Sequence, residues 1–314
     1  MNIAIINTGG TIGSSISDGV ISPTNAGESR LLSSFPNINI ADTTVPLDYK
    51  TYEPFRILSE NMDFEHFTML IEEINSVLAT NPEGIIITHG TDSLIFTAAF
   101  LYYTFIDVEI PIVLVSSNFV LDDERANGTD NFKYALKFIA GHHGTGVYVS
   151  YRNTNNFPTI HRGDMIHRGL ELTDDVISIK NMWYGRFEDE TYISGNITSP
   201  SNLVYTGTNR HPNLLGSKDV ILTSIHTGIV YPALSDDIGA VVISGYHAGT
   251  IPVTDKMQAF ANEAKALNIP IYVSGLDSTL TEYETVNEYR KMGILPIPDT
   301  PMTALYAQAK LSLS

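Results

Sequence analysis

Cysteine is absent from all 314 residues, which excludes disulfide scaffolds, thiolate metal sites and cysteine nucleophiles. Basic residues are scarce: 18 Lys plus Arg face 35 Asp plus Glu, for a formal charge of −17. That sign repels phosphate backbones and anionic lipid, so neither nucleic acid nor a membrane is an expected partner. No apolar run approaches the roughly 20 residues that a membrane-spanning helix needs. The opening residues, Met1-Asn2-Ile3-Ala4-Ile5-Ile6-Asn7, lack the basic start and small-residue cleavage site of a signal peptide and read as a strand. A soluble, cytoplasmic protein is the expectation, and its chemistry falls to serine, threonine, histidine and carboxylates.

What is present is a rhythm of short Ile- and Val-rich runs, at 3–6, 84–87, 112–115, 147–149, 220–222, 240–243 and 271–273. Continuous apolarity without alternation marks strands buried on both faces. Helical patterns lie between them, clearest from Asp63 to Leu78, where Phe64, Phe67, Leu70, Ile71, Ile74 and Leu78 follow a 3, 4 spacing behind an Asp63 cap. Strands alternating with helices predict an α/β fold built on a parallel sheet. From Asn153 to Tyr192 the pattern turns to short alternation with Pro158, Gly163, Gly169 and Gly185, the mark of hairpins added to the first domain. The stretch 195–216 is rich in Asn, Ser, Thr, Pro and Gly and has no helical period, so it reads as an interdomain connection. The expected organisation is a larger N-terminal α/β domain over 1–194, this connection, and a smaller C-terminal α/β domain over 217–314.

Two motifs follow predicted strands directly. Thr8-Gly9-Gly10-Thr11-Ile12-Gly13 comes after the first, and paired glycines there let backbone N–H groups turn toward an anion or a developing oxyanion. Thr88-His89-Gly90-Thr91-Asp92-Ser93 comes after the strand at 84–87 and opens a helix, for which Thr91 and Asp92 are good cap residues. In an open parallel sheet the carboxyl edge is where ligands bind. Two strand ends each deliver a hydroxyl behind a glycine, and the second adds a carboxylate able to hold an ammonium.

These residues resemble the bacterial-type L-asparaginases, whose signatures TGGTI and HGTD stand here at Thr8 to Ile12 and His89 to Asp92. The resemblance continues through Ser59-Glu60-Asn61-Met62, through Leu121 to Asn131 ahead of a helix, and through Val230-Tyr231-Pro232-Ala233-Leu234-Ser235. It implies an asparaginase-like pair of domains and amide hydrolysis through an acyl-enzyme on Thr11, with Thr91 positioning or activating water. Ser59, Glu60, Gly90 and Asp92 would bind the α-amino and α-carboxylate groups of a small amino acid, asparagine first. It implies no cofactor, and assembly as a homodimer or homotetramer.

The chain also departs from that pattern. An ungapped match puts His161 where the family has a lysine, and histidine can do related acid–base work near neutral pH. Val20 falls where relatives carry a loop tyrosine that assists the nucleophile. Glu284 lies in roughly the stretch where relatives lend a glutamate to a neighbouring protomer, and His247 in a polar loop that reaches the same way. His142 with His143, and His161 with His167, lack the helical spacing and accompanying carboxylates of a zinc site, so no metal is expected. Two other functions stay open: a catalytically degenerate relative that binds amino acids, and an amidase for a larger substrate.

Overall fold

The computed structural model describes residues 1–17, 19–24, 26–167, 172–197 and 204–314. Gly169 and part of the expected connection, 198–203, lie outside the described residues. The chain divides into two units, Met1–Ile197 with Thr208–His211 and Thr198–Gly207 with Pro212–Ser314.

In the first unit, β1 (Asn2–Asn7) leads through a hairpin of β2 (Ser14–Ser17) and β3 (Val20–Pro23) into α1 (Ala26–Ser34). A second hairpin, β4 (Asn37–Ile40) and β5 (Thr43–Pro46), precedes β6 (Asp48–Tyr52) and α2 (Phe64–Leu78). Then come β7 (Gly84–Thr88), α3 (Leu94–Thr104), β8 (Pro111–Val115), α4 (Gly128–Ala140) and β9 (Gly146–Tyr151). The hairpin-rich remainder is β10 (Thr159–Arg162), β11 (Ile166–His167), β12 (Ile177–Ser178), β13 (Gly185–Glu188) and β14 (Thr191–Ser194).

Eight strands form one sheet in the order β14-β13-β10-β9-β8-β7-β1-β6. From β6 to β9 every pairing is parallel, and from β9 to β14 every pairing is antiparallel. The expected parallel sheet is therefore mixed, because the short alternating segments after β9 return by hairpins. Every residue of β7 and β8 is buried, which is why they read as unbroken apolar runs. Asp63 caps α2 as expected, its carboxylate accepting the His66 backbone N–H at 3.0 Å.

The topology reverses at β1. From β1 the chain crosses to β6 on one side, then returns to β7 on the other and continues outward to β8 and β9. The carboxyl ends of β1 and β7 thus flank the switch point, where open α/β sheets form a crevice. Asn7 and Thr88, the last residues of these strands, stand in register.

The second unit holds a four-stranded parallel sheet, β15 (Asp219–Ser224), β16 (Ile238–Ser244), β17 (Ile271–Ser274) and β18 (Leu295–Pro296), in that order. Helices α5 (Asp255–Ala266), α6 (Glu284–Lys291) and α7 (Met302–Leu311) connect and close it. Its core joins Val241, Ile243 and Val273 to Met257, Phe260 and Tyr289.

Candidate active site

The first motif leaves β1 tied on both sides. The Thr8 hydroxyl donates to the Thr88 carbonyl at 2.7 Å, and the Gly10 N–H donates to the Ile57 carbonyl at 3.0 Å. Gly10, at φ 74 and ψ 176, turns the chain into a short 3-10 helix over Thr11–Gly13. The Ser14 hydroxyl closes this turn onto the Gly10 carbonyl at 2.7 Å. Thr11 is therefore presented on a rigid turn, half-buried.

The second motif meets the first through glycine. A methyl group placed on Gly10 would lie 2.3 Å from the Gly90 nitrogen, and one placed on Gly90 would lie 2.3 Å from the Ser59 hydroxyl oxygen. Only hydrogen at these positions lets three loops touch. Ser59 donates to the Asp92 carboxylate at 3.1 Å and accepts the Asp92 N–H at 3.2 Å, while the Ser93 hydroxyl donates to the Ser59 carbonyl at 2.6 Å. The segments 8–13, 59–61 and 88–93 are joined into one constellation.

This wiring takes Thr91 and Asp92, which have the composition of cap residues, away from capping α3. Its N-cap is Ser93, and no side chain makes a capping hydrogen bond. The hydroxyl of Ser93 is turned instead to Ser59. Asp92 and Glu60 stand exposed and Thr91 half-buried. Neither the Thr11 nor the Thr91 hydroxyl is committed to a hydrogen bond among the described residues.

His89 is fully enclosed. Its Nδ1 lies 2.8 Å from the Gly90 carbonyl, so that nitrogen carries the proton, and Nε2 accepts from the Thr97 hydroxyl at 3.0 Å. Burial pulls its pKa down to about 4, so the ring is neutral at pH 7 and locks the peptide that presents Thr91.

His161 lies in β10, with Nδ1 2.8 Å from the Ser178 hydroxyl. Its Nε2 is buried without a hydrogen-bond partner among the described residues, and burial again lowers its pKa to about 4. Next to it, Arg162 pairs with the buried Asp164 at 2.6 Å. No described hydrogen bond links His161 to Thr11 or Thr91. Glu284, the first residue of α6, and His247 are exposed on the second unit.

These two histidines yield a pH prediction. Their folded-state pKa values, about 4, lie below the ordinary 6.5, so the unfolded chain binds more protons in between. Their contribution to stability is full above pH 6.5 and is lost as pH falls toward 4, on the order of 3 kcal/mol per ring at most. Urea midpoints measured between pH 7.5 and 5 should fall steeply, above the range where most carboxylates titrate. The double variant His89→Gln, His161→Gln should flatten that slope; an unchanged slope would contradict the assignment.

Reasoning from sequence missed three groups. Ile57 offers only its backbone to the first motif, which no side-chain pattern signals. Ser93 acts through Ser59. Asn7, a buried amide ending an apolar strand, accepts the Thr88 hydroxyl at 3.0 Å, and its polarity in that position was the one available signal.

Comparison with known proteins gives the family and the fold. Residues 2–173 match the family profile described as Asparaginase, N-terminal. One of the subunits of the glutamyl-tRNA(Gln) amidotransferase of Methanosarcina barkeri is 33% identical over 171 residues, 53% of this chain and 38% of that relative. The aligned part thus spans well under half of the relative's length. L-asparaginase I of Vibrio cholerae superposes with a TM-score of 0.74 at 18% identity, covering 99% of this chain and 92% of that one. The thermostable L-asparaginase of Thermococcus kodakarensis gives 0.74 at 20% identity, covering 98% and 91%. At such identities the structural likeness shows the fold.

Proposed function

This chain belongs to the asparaginase family, and on that premise we propose that it hydrolyses the side-chain amide of a small amino acid, asparagine first, to the acid and ammonia through a threonine acyl-enzyme. In this reading the Thr11 hydroxyl attacks the side-chain carbonyl carbon, and backbone N–H groups of the glycine turns hold the oxyanion. Ammonia leaves with the proton given up by Thr11. A water beside Thr91 then cleaves the ester. Asp92 takes the substrate ammonium in charge-assisted hydrogen bonds, Glu60 adds a second carboxylate, and Ser59 and Gly90 complete the cradle.

The observation that carries this reading is convergence at the switch point. Gly10, Gly90 and Ser59 are in contact, so the residues that follow the two glycines, Thr11 and Thr91, stand on adjoining loops beside the Asp92 carboxylate. Both hydroxyls are uncommitted, as a nucleophile and a water-binding group need to be.

The departures shape what to expect of the rate. His161 holds the place matched to the family lysine and its Nδ1 is engaged by Ser178, while Val20 holds the place of the tyrosine. One missing catalytic partner at about 3 kcal/mol slows turnover by roughly two orders of magnitude. A degenerate relative that binds amino acids without turnover is the second reading, favoured by the same two positions.

Ammonia release from L-Asn, D-Asn, L-Gln and β-aspartyl amides, with ligand-induced thermal shift on the same samples, separates the two. The name of the amidotransferase relative brings glutamine into that panel. Release from one compound names the substrate, whereas stabilisation without ammonia from any of them would overturn the hydrolase and leave the binding protein. For Asp92→Ala, loss of a charge-assisted contact should raise KM about 10- to 100-fold and change kcat far less. A KM equal to that of the unaltered protein would remove Asp92 from substrate binding.

A further inference from the structure

The parallel strands β8 and β9 are last paired at Val115 and Ser150. Carried on in the same register, Arg152 would face Ser117, with its N–H bonded to the Ser116 carbonyl and its carbonyl to the Asn118 N–H. In place of each of these bonds stands a side-chain amide. Asn131 occupies the first, its Oδ1 accepting the Arg152 N–H at 2.7 Å and its Nδ2 donating to the Ser116 carbonyl at 2.8 Å. Asn127 occupies the second, its Oδ1 accepting the Asn118 N–H at 3.0 Å and its Nδ2 donating to the Arg152 carbonyl at 2.9 Å. Both side chains are buried at the start of α4, one turn apart.

Two wedges in consecutive ladder positions fix the gap between the strand ends to the width of an amide. Every backbone group they separate keeps a partner, so the opening leaves no buried orphan behind. It matters because β8 carries the second motif on its other side. Strands β7 and β8 end in register at Thr88 and Val115, and the Val115 carbonyl accepts the His89 N–H at 2.9 Å. The His89 ring holds the Gly90 carbonyl, and Thr91 comes next. Asn131 thus grips the residue that directly follows the one from which His89 hangs.

We propose that Asn131 is a positioning residue for the Thr91 loop: by holding the Ser116 carbonyl apart from β9 it sets the end of β8 and, through the bond from His89 to Val115, the place of the Thr91 hydroxyl. The kinetic part of this inference rests on the hydrolase reading above, in which a water beside Thr91 cleaves the ester. A displacement of about 1 Å in such a group costs on the order of a hundredfold in rate. The two wedges can be disarmed separately. Asn131→Asp keeps the acceptor for Arg152 and loses the donor to Ser116, on the β8 side. Asn127→Asp keeps the acceptor for Asn118, on the β8 side, and loses the donor to Arg152.

Two measurements on the full chain at pH 8.5 test it. Hydrogen exchange over 89–92 should quicken about tenfold or more in Asn131→Asp and stay near the unaltered rate in Asn127→Asp. Asn131→Leu, branched alike but with neither donor nor acceptor, should quicken the same segment, and it has no carboxyl that could regain a donor by taking up a proton. On the amide that releases ammonia, Asn131→Leu should lose about 10- to 100-fold in kcat and accumulate acyl-enzyme, seen as a mass increase on the chain, while Asn127→Asp does neither. The proposal is overturned by unaltered exchange over 89–92 in Asn131→Leu, by a loss of kcat without accumulated acyl-enzyme, by an Asn127→Asp variant as impaired as Asn131→Leu, or by faster exchange across the whole first unit, which marks general destabilisation. Should the unaltered protein hydrolyse nothing in the panel, the functional reading fails, and the exchange comparison still decides whether Asn131 positions the loop.

Discussion

Thr11→Ala is expected to abolish ammonia release, by about 10⁴-fold or more, while leaving the thermal midpoint close to that of the unaltered protein. The two halves of this expectation have separate causes. A nucleophile that forms a covalent intermediate has no substitute when its oxygen is removed, and the oxyanion donors and binding groups that remain supply only a residual rate. Stability is spared because the Thr11 hydroxyl makes no hydrogen bond to a described residue and the side chain is half-buried, so its removal orphans nothing. Thr11→Ser, which keeps an oxygen at the same place, should retain measurable turnover. Thr91→Val leaves the first nucleophile intact and should slow ester cleavage, so that acyl-enzyme accumulates and is seen as a mass increase on the chain. Ammonia release undiminished in Thr11→Ala would remove the threonine acyl-enzyme from consideration.

The second large effect is structural in origin. Gly10→Ala puts a methyl group 2.3 Å from the nitrogen and 2.5 Å from the Cα of Gly90, both backbone atoms, at a residue with φ 74. Backbone cannot swing aside as the end of a side chain can, so the two strand ends must part or one turn must be rebuilt. Left-handed backbone in a residue other than glycine costs about 1–3 kcal/mol, and the forced overlap adds a similar amount. A loss of about 3 kcal/mol or more in unfolding free energy is expected, together with nearly all activity. Gly228→Ala is the internal control, because Gly228 has φ 77 but nothing within 4 Å of the added methyl. It should show the backbone cost alone, about 1–3 kcal/mol. Equal losses in the two variants would mean that contact between the motifs contributes nothing to stability.

Several features of the site could be read before any coordinates. The strands at 84–87 and 112–115 were visible as apolar runs because burial on both faces leaves no room for alternation. The turn after each strand was visible because a glycine beside a hydroxyl has few uses at a strand end. The family pattern joined Ser59 and Glu60 to these turns across a gap that periodicity does not bridge. The cap was not legible for a related reason: Thr91 and Asp92 have the right composition to cap α3, but composition cannot say that Ser59 lies close enough to claim Asp92 and Ser93 instead. The parallel sheet was extended by antiparallel strands because hairpin connections after β9 reverse direction, something that short alternating segments permit without indicating pairing partners.

Order along the chain thus determined the elements, the switch between parallel and hairpin segments, and the identity of the two threonine turns, because each depends on local periodicity or on what glycine alone can do. Only the tertiary structure decided which of those pieces touch. It placed Gly10 on Gly90 and Ser59 on Asp92, and enclosed His161 against Ser178. The physical reason is that hydrogen bonds and steric contacts act over about 3 Å, while the partners stand tens of residues apart, and strand order brings them together.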